Sequence, residues 1–409
     1  MAKPSIGLWR SWALVAGMMI GSGIYTLPSL LAAYGSNSFI GWGVTAFGAL
    51  CLALTYAYLS SRQSGLGGPY FYVQQAFGAG WASLIALGYW FSLVSAVAAL
   101  AFSFAGYSKT YLPWIHQSSL HSAGFAVSVV VVFLLINIRG IREAAAVQLM
   151  TTIAKIIPLL LIGVMGLVMG DIHAIPAVNP GNASTLTMIS SLCLLIMWAF
   201  IGVESATLPS EDTISPEKTI PRASILGTLS TTAVYVIAAW GLMSVMPLEL
   251  LKTSSSPFAD AAQRLFGGGG EAIVTVGALF AIGGTLNVCL MMSGTILLAG
   301  SRDGLLPRWI NKQDARGTPV AALLCSGIVS IIMVLFNTHD SLLKGFEIMM
   351  ILSTFGVLMV YLATGLASLA LQWRSHKSGE LLYPIQIFIA LLATIFSVLA
   401  IAGAVALEL

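Results

Sequence analysis

Apolar stretches of about 20 residues recur from one end of this chain to the other, and each could cross the hydrocarbon layer of a bilayer as a helix. Only short polar connections separate them. Of the 409 residues, 58% are hydrophobic and 8% are charged, whereas soluble domains carry about 25% charged residues. The pattern predicts an all-α polytopic membrane protein and excludes a soluble globular domain.

Eleven apolar segments are long enough to span a membrane. The first extends past the length of a signal-peptide core and has no small-residue cleavage site, so we expect it to remain as the first helix. The longest polar stretches, residues 247–270 and 301–317, are predicted to be loops. We therefore expect one transmembrane domain over residues 1–409, with segments at 10–34, 39–60, 81–112, 122–138, 147–169, 187–209, 222–246, 271–300, 318–337, 345–371 and 383–407.

The distribution of lysine and arginine predicts the orientation. With a cytoplasmic N-terminus, the inner loops hold thirteen of these residues and the outer loops hold four. Such a bias in short loops follows the positive-inside rule. We expect a multi-pass protein of the bacterial inner membrane with its N-terminus in the cytoplasm and, after eleven segments, its C-terminus outside.

Two of the segments carry similar interruptions. The first contains GSGIYTLPS at residues 21–29, and the sixth contains GVESATLPS at residues 202–210. Unwound backbone at membrane depth is tolerated where it lines a cavity or is buried in protein. Paired interruptions in corresponding helices of two halves are typical of inverted-repeat transporters, with the substrate site at the breaks. The predicted repeats are 10–169 and 187–371, followed by an extra helix at 383–407.

The exposed backbone at such breaks suits one class of ligand. A half-helix that begins after GSG presents free N–H groups and a positive dipole end, which favour a carboxylate. The half-helices that end before each break present carbonyl groups, which favour an ammonium group. An α-amino acid carries both charges a few ångströms apart.

Several stretches resemble the amino acid–polyamine–organocation (APC) superfamily of transporters. The most specific is WAFIGVESA at 198–206, which is similar to the basic amino acid/polyamine antiporters, such as the arginine–agmatine and lysine–cadaverine exchangers. This resemblance implies a LeuT-type fold of five-plus-five inverted repeats. The other similar stretches are GSGIYTLPS, GGPYFYVQQAFG at 67–78, SPEKTIPRASILGT at 215–228, SSPFADAAQRLFG at 255–267, RDGLLP at 302–307 and GTPVAA at 317–322.

The resemblance also implies roles for individual residues, each of which could instead serve only in packing. Glu204 matches a proton-sensitive gating glutamate, and an intramembrane carboxylate is functional by default. Tyr89 matches a gating tyrosine, and Tyr361 is a second candidate. The implied substrate-binding residues are Met19, Ile20, Gly21, Ser22, Gly23, Tyr89, Trp198, Ala199, Ile201, Glu204 and Cys289.

The chain departs from the arginine exchanger where that protein holds the distal end of its substrate. The corresponding positions of the third segment are Ser92, Leu93, Val97 and Leu100, and Cys289 replaces a tryptophan. A smaller or more apolar side chain is therefore plausible for the substrate.

Lys155 in the fifth segment resembles the lysine of proton-coupled APC transporters, which occupies the place of a sodium ion. We expect Lys155 and Glu204 to change protonation during the cycle. The alternative for Lys155 is that its long side chain reaches the inner interface.

The family usually has twelve helices, so this chain lacks the last one by our count. That helix lies outside the five-plus-five core, and we expect the transport site to be intact. Its absence leaves open the homodimer that the resemblance suggests.

The leading hypothesis is a secondary amino acid/polyamine antiporter that works by alternating access, with protons as a further transported or regulatory species. A proton-coupled symporter for neutral amino acids is the alternative. A channel, a membrane-embedded enzyme and a non-transporting amino acid sensor are the other classes. The sequence has no nucleophile or metal motif, so we predict no catalytic residue, metal, cofactor or nucleic-acid partner.

Overall fold

The computed structural model describes residues 6–62, 68–139, 144–207, 213–304, 306–314, 317–338, 341–377 and 383–406. Within these ranges the secondary structure is helical, apart from two isolated β-bridges. The predicted all-α class is therefore confirmed.

The described ranges contain fifteen α-helices, and each of the eleven predicted segments includes at least one of them. The helices are α1 (Leu8–Met19), α2 (Ser22–Leu31), α3 (Ser38–Arg62), α4 (Pro69–Phe77), α5 (Ala79–Ser108), α6 (Ser119–Arg139), α7 (Ala144–Met169), α8 (Thr185–Phe200), α9 (Pro216–Val245), α10 (Leu248–Leu251), α11 (Pro257–Phe266), α12 (Gly268–Arg302), α13 (Val320–Phe336), α14 (Leu342–Lys377) and α15 (Pro384–Ala406).

Among the described residues, eight helical spans are long and apolar enough to cross a membrane, counting α1 and α2 as one. Shorter apolar helices lie in the fifth, sixth and ninth predicted segments. Large apolar side chains face outward along these helices; Phe336 is 90% exposed and Val405 is 79% exposed. Such a surface is stable in lipid and costly in water. The protein is a multi-pass membrane protein.

The first predicted interruption separates α1 from α2. The helix stops at Met19 and resumes at Ser22. Close packing explains the glycines at this point. A Cβ atom on Gly21 would lie 2.7 Å from the hydroxyl of Thr285, and one on Gly23 would lie 2.8 Å from the Cα atom of Ala199.

The second interruption follows α8, which ends at Phe200. The chain turns through Ile201–Glu204 and continues as a 3₁₀ turn at Ser205–Thr207. Gly202 has a φ angle of +114°, which favours glycine because it has no Cβ atom. The repeated TLPS motif at 207–210 is described only at Thr207; Leu208, Pro209 and Ser210 lie outside the described residues.

The predicted loop at 247–270 is wrong, because most of it is helical. It contains the single turn α10 and the ten-residue helix α11. Small and apolar residues of α11, including Phe258, Ala259 and Ala262, are fully buried, whereas Arg264 is exposed. This helix is stabilised by one apolar face rather than by a long apolar run, so the criterion for spanning helices missed it.

Close backbone contacts also join the helices that surround the two breaks. The helices α7 and α9 approach so closely that Cβ atoms on Gly163, Gly166 or Gly241 would overlap the opposing backbone. On the other side, α15 packs against α3 and α8, where Gly48 faces the ring of Phe396 and Gly403 faces the carbonyl of Ser190. Close backbone contact of this kind is how helices associate tightly in membranes.

Candidate functional site

The two breaks lie side by side. The indole Nε1 of Trp198, near the end of α8, donates a hydrogen bond of 3.3 Å to the hydroxyl of Ser22, the first residue of α2. Gly23 packs on Ala199 one residue further along. Predicted binding residues from both segments therefore meet in one place. All of them are buried except Ile201, which is partly buried.

At the first break the N–H of Gly21 donates to the carbonyl of Met19 at 3.0 Å, and the N–H groups that follow begin α2. Gly21 precedes the first turn of α2, and no side chain caps that turn. The initial N–H groups of a helix have no partner within the helix. They suit an anion, as the sequence predicted.

The carbonyl groups at the ends of α1 and α8 share a partner. The hydroxyl of Tyr235 in α9 lies 2.6 Å from the carbonyl oxygen of Met19 and 3.0 Å from that of Ala199. A single hydroxyl therefore joins the ends of both half-helices. Sequence reasoning missed Tyr235, because it lies in no motif and nothing in the sequence distinguishes it from the eleven other tyrosines.

Glu204 lies in the turn after the second break and is fully buried. Tyr89 of α5 donates to its Oε1 atom at 2.7 Å, and Tyr361 of α14 donates to its Oε2 atom at 2.6 Å. The backbone N–H of Gly202 adds a third hydrogen bond of 3.2 Å to Oε2. The structure thus brings together the three residues that the resemblance linked to gating.

Lys155 lies beside α1 rather than at a membrane interface. Its side chain is buried, and its Nζ atom donates to the carbonyl of Gly17 at 3.2 Å, three residues before the break. This placement disfavours the interfacial alternative. Cys289 of α12, a further predicted binding residue, is buried.

Aromatic clusters cover the site from two directions. On the α11 side, the ring of Tyr25 makes edge contacts with Tyr107 and Phe258, at centroid distances of 5.9 and 5.6 Å. On the α4 side, the ring centroid of Tyr56 lies 6.1 Å from that of Tyr361 and 6.5 Å from that of Tyr72.

The cluster on the α11 side is also joined by hydrogen bonds. Tyr107 contacts the carbonyl of Tyr25, and the hydroxyl of Tyr25 donates to the carbonyl of Lys155 at 2.9 Å. The N–H of Phe258 lies 3.4 Å from the hydroxyl of Tyr107. Through Tyr107 and Tyr25, these hydrogen bonds link α11 to α2 and α2 to the backbone of α7 at Lys155. The sequence did not predict roles for Tyr25 and Tyr107, because their contacts with α11 form only in the folded protein.

The residues predicted to line the distal pocket differ in what they contact. Ser92 is hydrogen-bonded to α14. Its hydroxyl donates to the carbonyl of Ser353 at 2.8 Å, and the hydroxyl of Ser353 donates to the carbonyl of Ser92 at 2.7 Å. Leu93, Val97 and Leu100 are buried along α5.

Known proteins resemble this chain over most of its length. The model of the amino acid permease family matches residues 6–407. The cadaverine/lysine antiporter of Escherichia coli strain K12 is 30% identical over 353 residues, covering 82% of this chain and 76% of that protein. The arginine/ornithine antiporter of Pseudomonas aeruginosa is 29% identical over 366 residues, covering 85% and 75%. The putrescine transporter PotE of Haemophilus influenzae is 26% identical over 404 residues, covering 98% and 92%.

Proposed function

This chain belongs to the amino acid permease family, and we propose that it is a secondary transporter that exchanges amino acids or amines by alternating access. It is not an enzyme, since the family and the named relatives are transporters. The observation that carries the proposal is the meeting of two broken helices at Ser22 and Trp198. Exchangers among the relatives act on cadaverine and lysine or on arginine and ornithine.

The α-amino acid part of the substrate binds to backbone. Its carboxylate accepts hydrogen bonds from the first N–H groups of α2, where Gly21 leaves room beside Thr285 only for a hydrogen atom. Its ammonium group binds the carbonyls at the ends of α1 and α8. The carbonyl of Met19 already accepts the N–H of Gly21 and the hydroxyl of Tyr235, which fill its two lone pairs, so the hydroxyl of Tyr235 has to move away when the substrate binds there.

Glu204 and Lys155 couple transport to protons. Protonation of Glu204 changes its hydrogen bonds with Tyr89 and Tyr361, which lie on two different helices. Opening on the α4 side requires those bonds to break or to rearrange. Lys155 holds α1 just before its break, so loss of its proton would weaken that attachment.

The wider architecture follows from the same proposal. Eleven helices span the inner membrane, and residues 10–169 and 187–371 form the two inverted repeats of a LeuT-type fold. The helix at 383–407 lies outside them. The N-terminus faces the cytoplasm and the C-terminus faces outward, in agreement with the excess of lysine and arginine in the inner loops.

Proton-coupled symport of neutral amino acids is the second candidate. The buried ammonium of Lys155 beside α1 favours it, because a fixed charge next to a moving helix can link its protonation to that movement.

Counterflow in proteoliposomes tests the proposal. Purified protein is reconstituted in vesicles preloaded with an unlabelled amino acid or amine, and uptake of the labelled compound is followed with and without a proton gradient. Exchange that needs an internal substrate supports an antiporter. Uptake into empty vesicles that needs an inward proton gradient supports the symporter. Binding without uptake under any condition would identify a sensor and refute both.

A further inference from the structure

We propose that the transported amino acid carries an uncharged side chain. This inference rests on the proposed function and concerns the same site. It separates this chain from relatives whose names specify lysine, arginine, ornithine or polyamines.

The first argument is the balance of charge. Among the described residues, Lys155 and Glu204 are the charged side chains that are fully buried. One is a potential cation and the other a potential anion. An amino acid with a neutral side chain is a zwitterion and leaves this balance unchanged. A lysine or arginine substrate would add an unpaired positive charge in a compartment shut off from water, which is strongly unfavourable.

The second argument is that Glu204 is already engaged. Both of its carboxyl oxygens accept tyrosine hydroxyls, and one also accepts the N–H of Gly202. Three of the roughly four acceptor positions of this carboxylate are therefore taken, and the remaining one, on Oε1, lies beside the hydroxyl of Tyr89. The carboxyl group is therefore part of the closure rather than a free counter-ion.

The third argument is the face of α5 that leads away from Glu204. Tyr89, Leu93 and Val97 are separated by four residues each, so they lie on one side of the helix. Tyr89 points at Glu204, which places the two aliphatic side chains one and two turns further along the same face. Ser92 offers no free hydroxyl because it is bonded to Ser353.

Two further described residues near the breaks carry no negative charge that could pair with a cationic group. Phe346 makes an edge contact with Trp198 at 6.2 Å, and Cys289 of α12 provides a buried thiol. A small aliphatic or weakly polar side chain fits such surroundings. The ammonium of Lys155 would repel a positive one.

Matched pairs of substrates test the inference in counterflow. Norleucine and lysine have the same chain with and without the terminal ammonium, and citrulline and arginine differ in charge at similar size. Alanine and leucine complete the neutral set; agmatine, cadaverine and putrescine complete the cationic set. We expect each neutral member to exchange at least about 100-fold faster than its cationic partner, the effect of about 3 kcal/mol at 1.4 kcal/mol per tenfold.

Two outcomes would overturn the inference. Equal or faster exchange of lysine or arginine refutes it and leaves the proposed antiporter intact. No exchange of any amino acid or amine refutes the proposed function as well. Rejection of norleucine together with lysine, while alanine exchanges, supports an uncharged side chain and limits its size.

A pair of variants identifies the responsible surface. Val97→Asp introduces a carboxylate on the face shared with Tyr89, and Val97→Asn introduces an amide of similar size without the charge. We expect the aspartate variant to raise the rate of lysine relative to norleucine by about tenfold over the asparagine variant, as one new charge pair can supply about 1.4 kcal/mol. An unchanged ratio in folded Val97→Asp protein would contradict the placement of Val97.

Discussion

The two broken helices differ in the charges that lie at their breaks. Each presents a helix end to the same small space, and their neighbours Gly23 and Ala199 touch. The first break contains no charged residue and has the ammonium of Lys155 beside it. The second contains a carboxyl group of its own, Glu204, fixed by tyrosines from two helices.

This difference separates two tasks. Backbone groups at both breaks can recognise the part that all α-amino acids share. The charged side chains act on the helices themselves, because Lys155 holds α1 and Glu204 joins the second break to α5 and α14. Recognition and coupling therefore depend on different atoms, and substitutions can separate them.

The largest effect is expected where the breaks touch. Gly23→Val would force a side chain against the Cα atom of Ala199, 2.8 Å from the new Cβ atom. The half-helices would separate, and a displacement of about 1 Å at a binding site can cost about 100-fold in rate. Counterflow should fall to background. Gly43→Val on the exposed side of α3, where a Cβ atom meets nothing within 4 Å, is the control; native activity in folded Gly23→Val would refute the arrangement.

The next largest effect is expected at the cation beside the first break. Lys155→Met keeps the length of the side chain but removes the hydrogen bond to Gly17. A bond from a charged group is worth about 1.5–3 kcal/mol, so exchange should slow by about 10- to 100-fold. The dependence of the rate on pH should also become weaker, because Glu204 is then the only one of the two proposed proton-sensitive groups that is left. Lys252→Met, at an exposed pair with Glu249, is the control, and an unchanged rate and pH profile would remove Lys155 from coupling.

A smaller loss of rate is expected at the second break. Glu204→Gln keeps the shape but replaces one acceptor oxygen with an NH₂ group, which cannot accept the hydroxyl of Tyr89 or Tyr361. We expect a flattened pH profile and a rate reduced by about tenfold, from one lost bond of about 1.5 kcal/mol. The affinity for a neutral substrate should stay within a few-fold, because backbone binds it. Glu249→Gln is the control; a native pH profile in Glu204→Gln would rule out proton sensing at this residue.

The smallest effect is expected at the hydroxyl that joins both breaks. Tyr235→Phe leaves the ring in place and removes the contacts with Met19 and Ala199. A neutral hydrogen bond contributes about 0.5–1.5 kcal/mol, so exchange should slow by about 2- to 10-fold. Tyr111→Phe, which loses a bond to the carbonyl of Ala272 at the protein surface, should transport normally. Equal rates for the two variants would mean that Tyr235 serves only in packing.

Much of the fold was predictable because lipid imposes it. The apolar segments predicted the helices, and glycine predicted where two of them would break, whereas Pro28 lies inside α2. The resemblance also placed Tyr89, Tyr361 and Glu204 together, and the structure joins them by hydrogen bonds. These features depend on local composition or on motifs that survive in the sequence.

The residues that sequence reasoning missed are defined by contacts between distant segments. Tyr235 matters because α9 passes both breaks, and α7 and α9 approach closely through glycines. Tyr25 and Tyr107 matter because α11 folds over them, and that helix was taken for a loop. Ser92 was assigned to a pocket, but its hydroxyl is bonded to α14. No local pattern specifies which of several helices a side chain will meet.

The glycine contact between α7 and α9 has a mechanical consequence. No side chain separates the two backbones at Gly163, Gly166 and Gly241, so the two helices pack as one closely contacting pair. From this pair, the side chains of Lys155 and Tyr235 form hydrogen bonds with three carbonyl groups that flank the breaks. A bend or tilt of α7 and α9 would therefore change the hydrogen bonds of Lys155 and Tyr235 together. A bulky lipid or an inhibitor wedged against its outer side could therefore stall the transporter without ever entering the site.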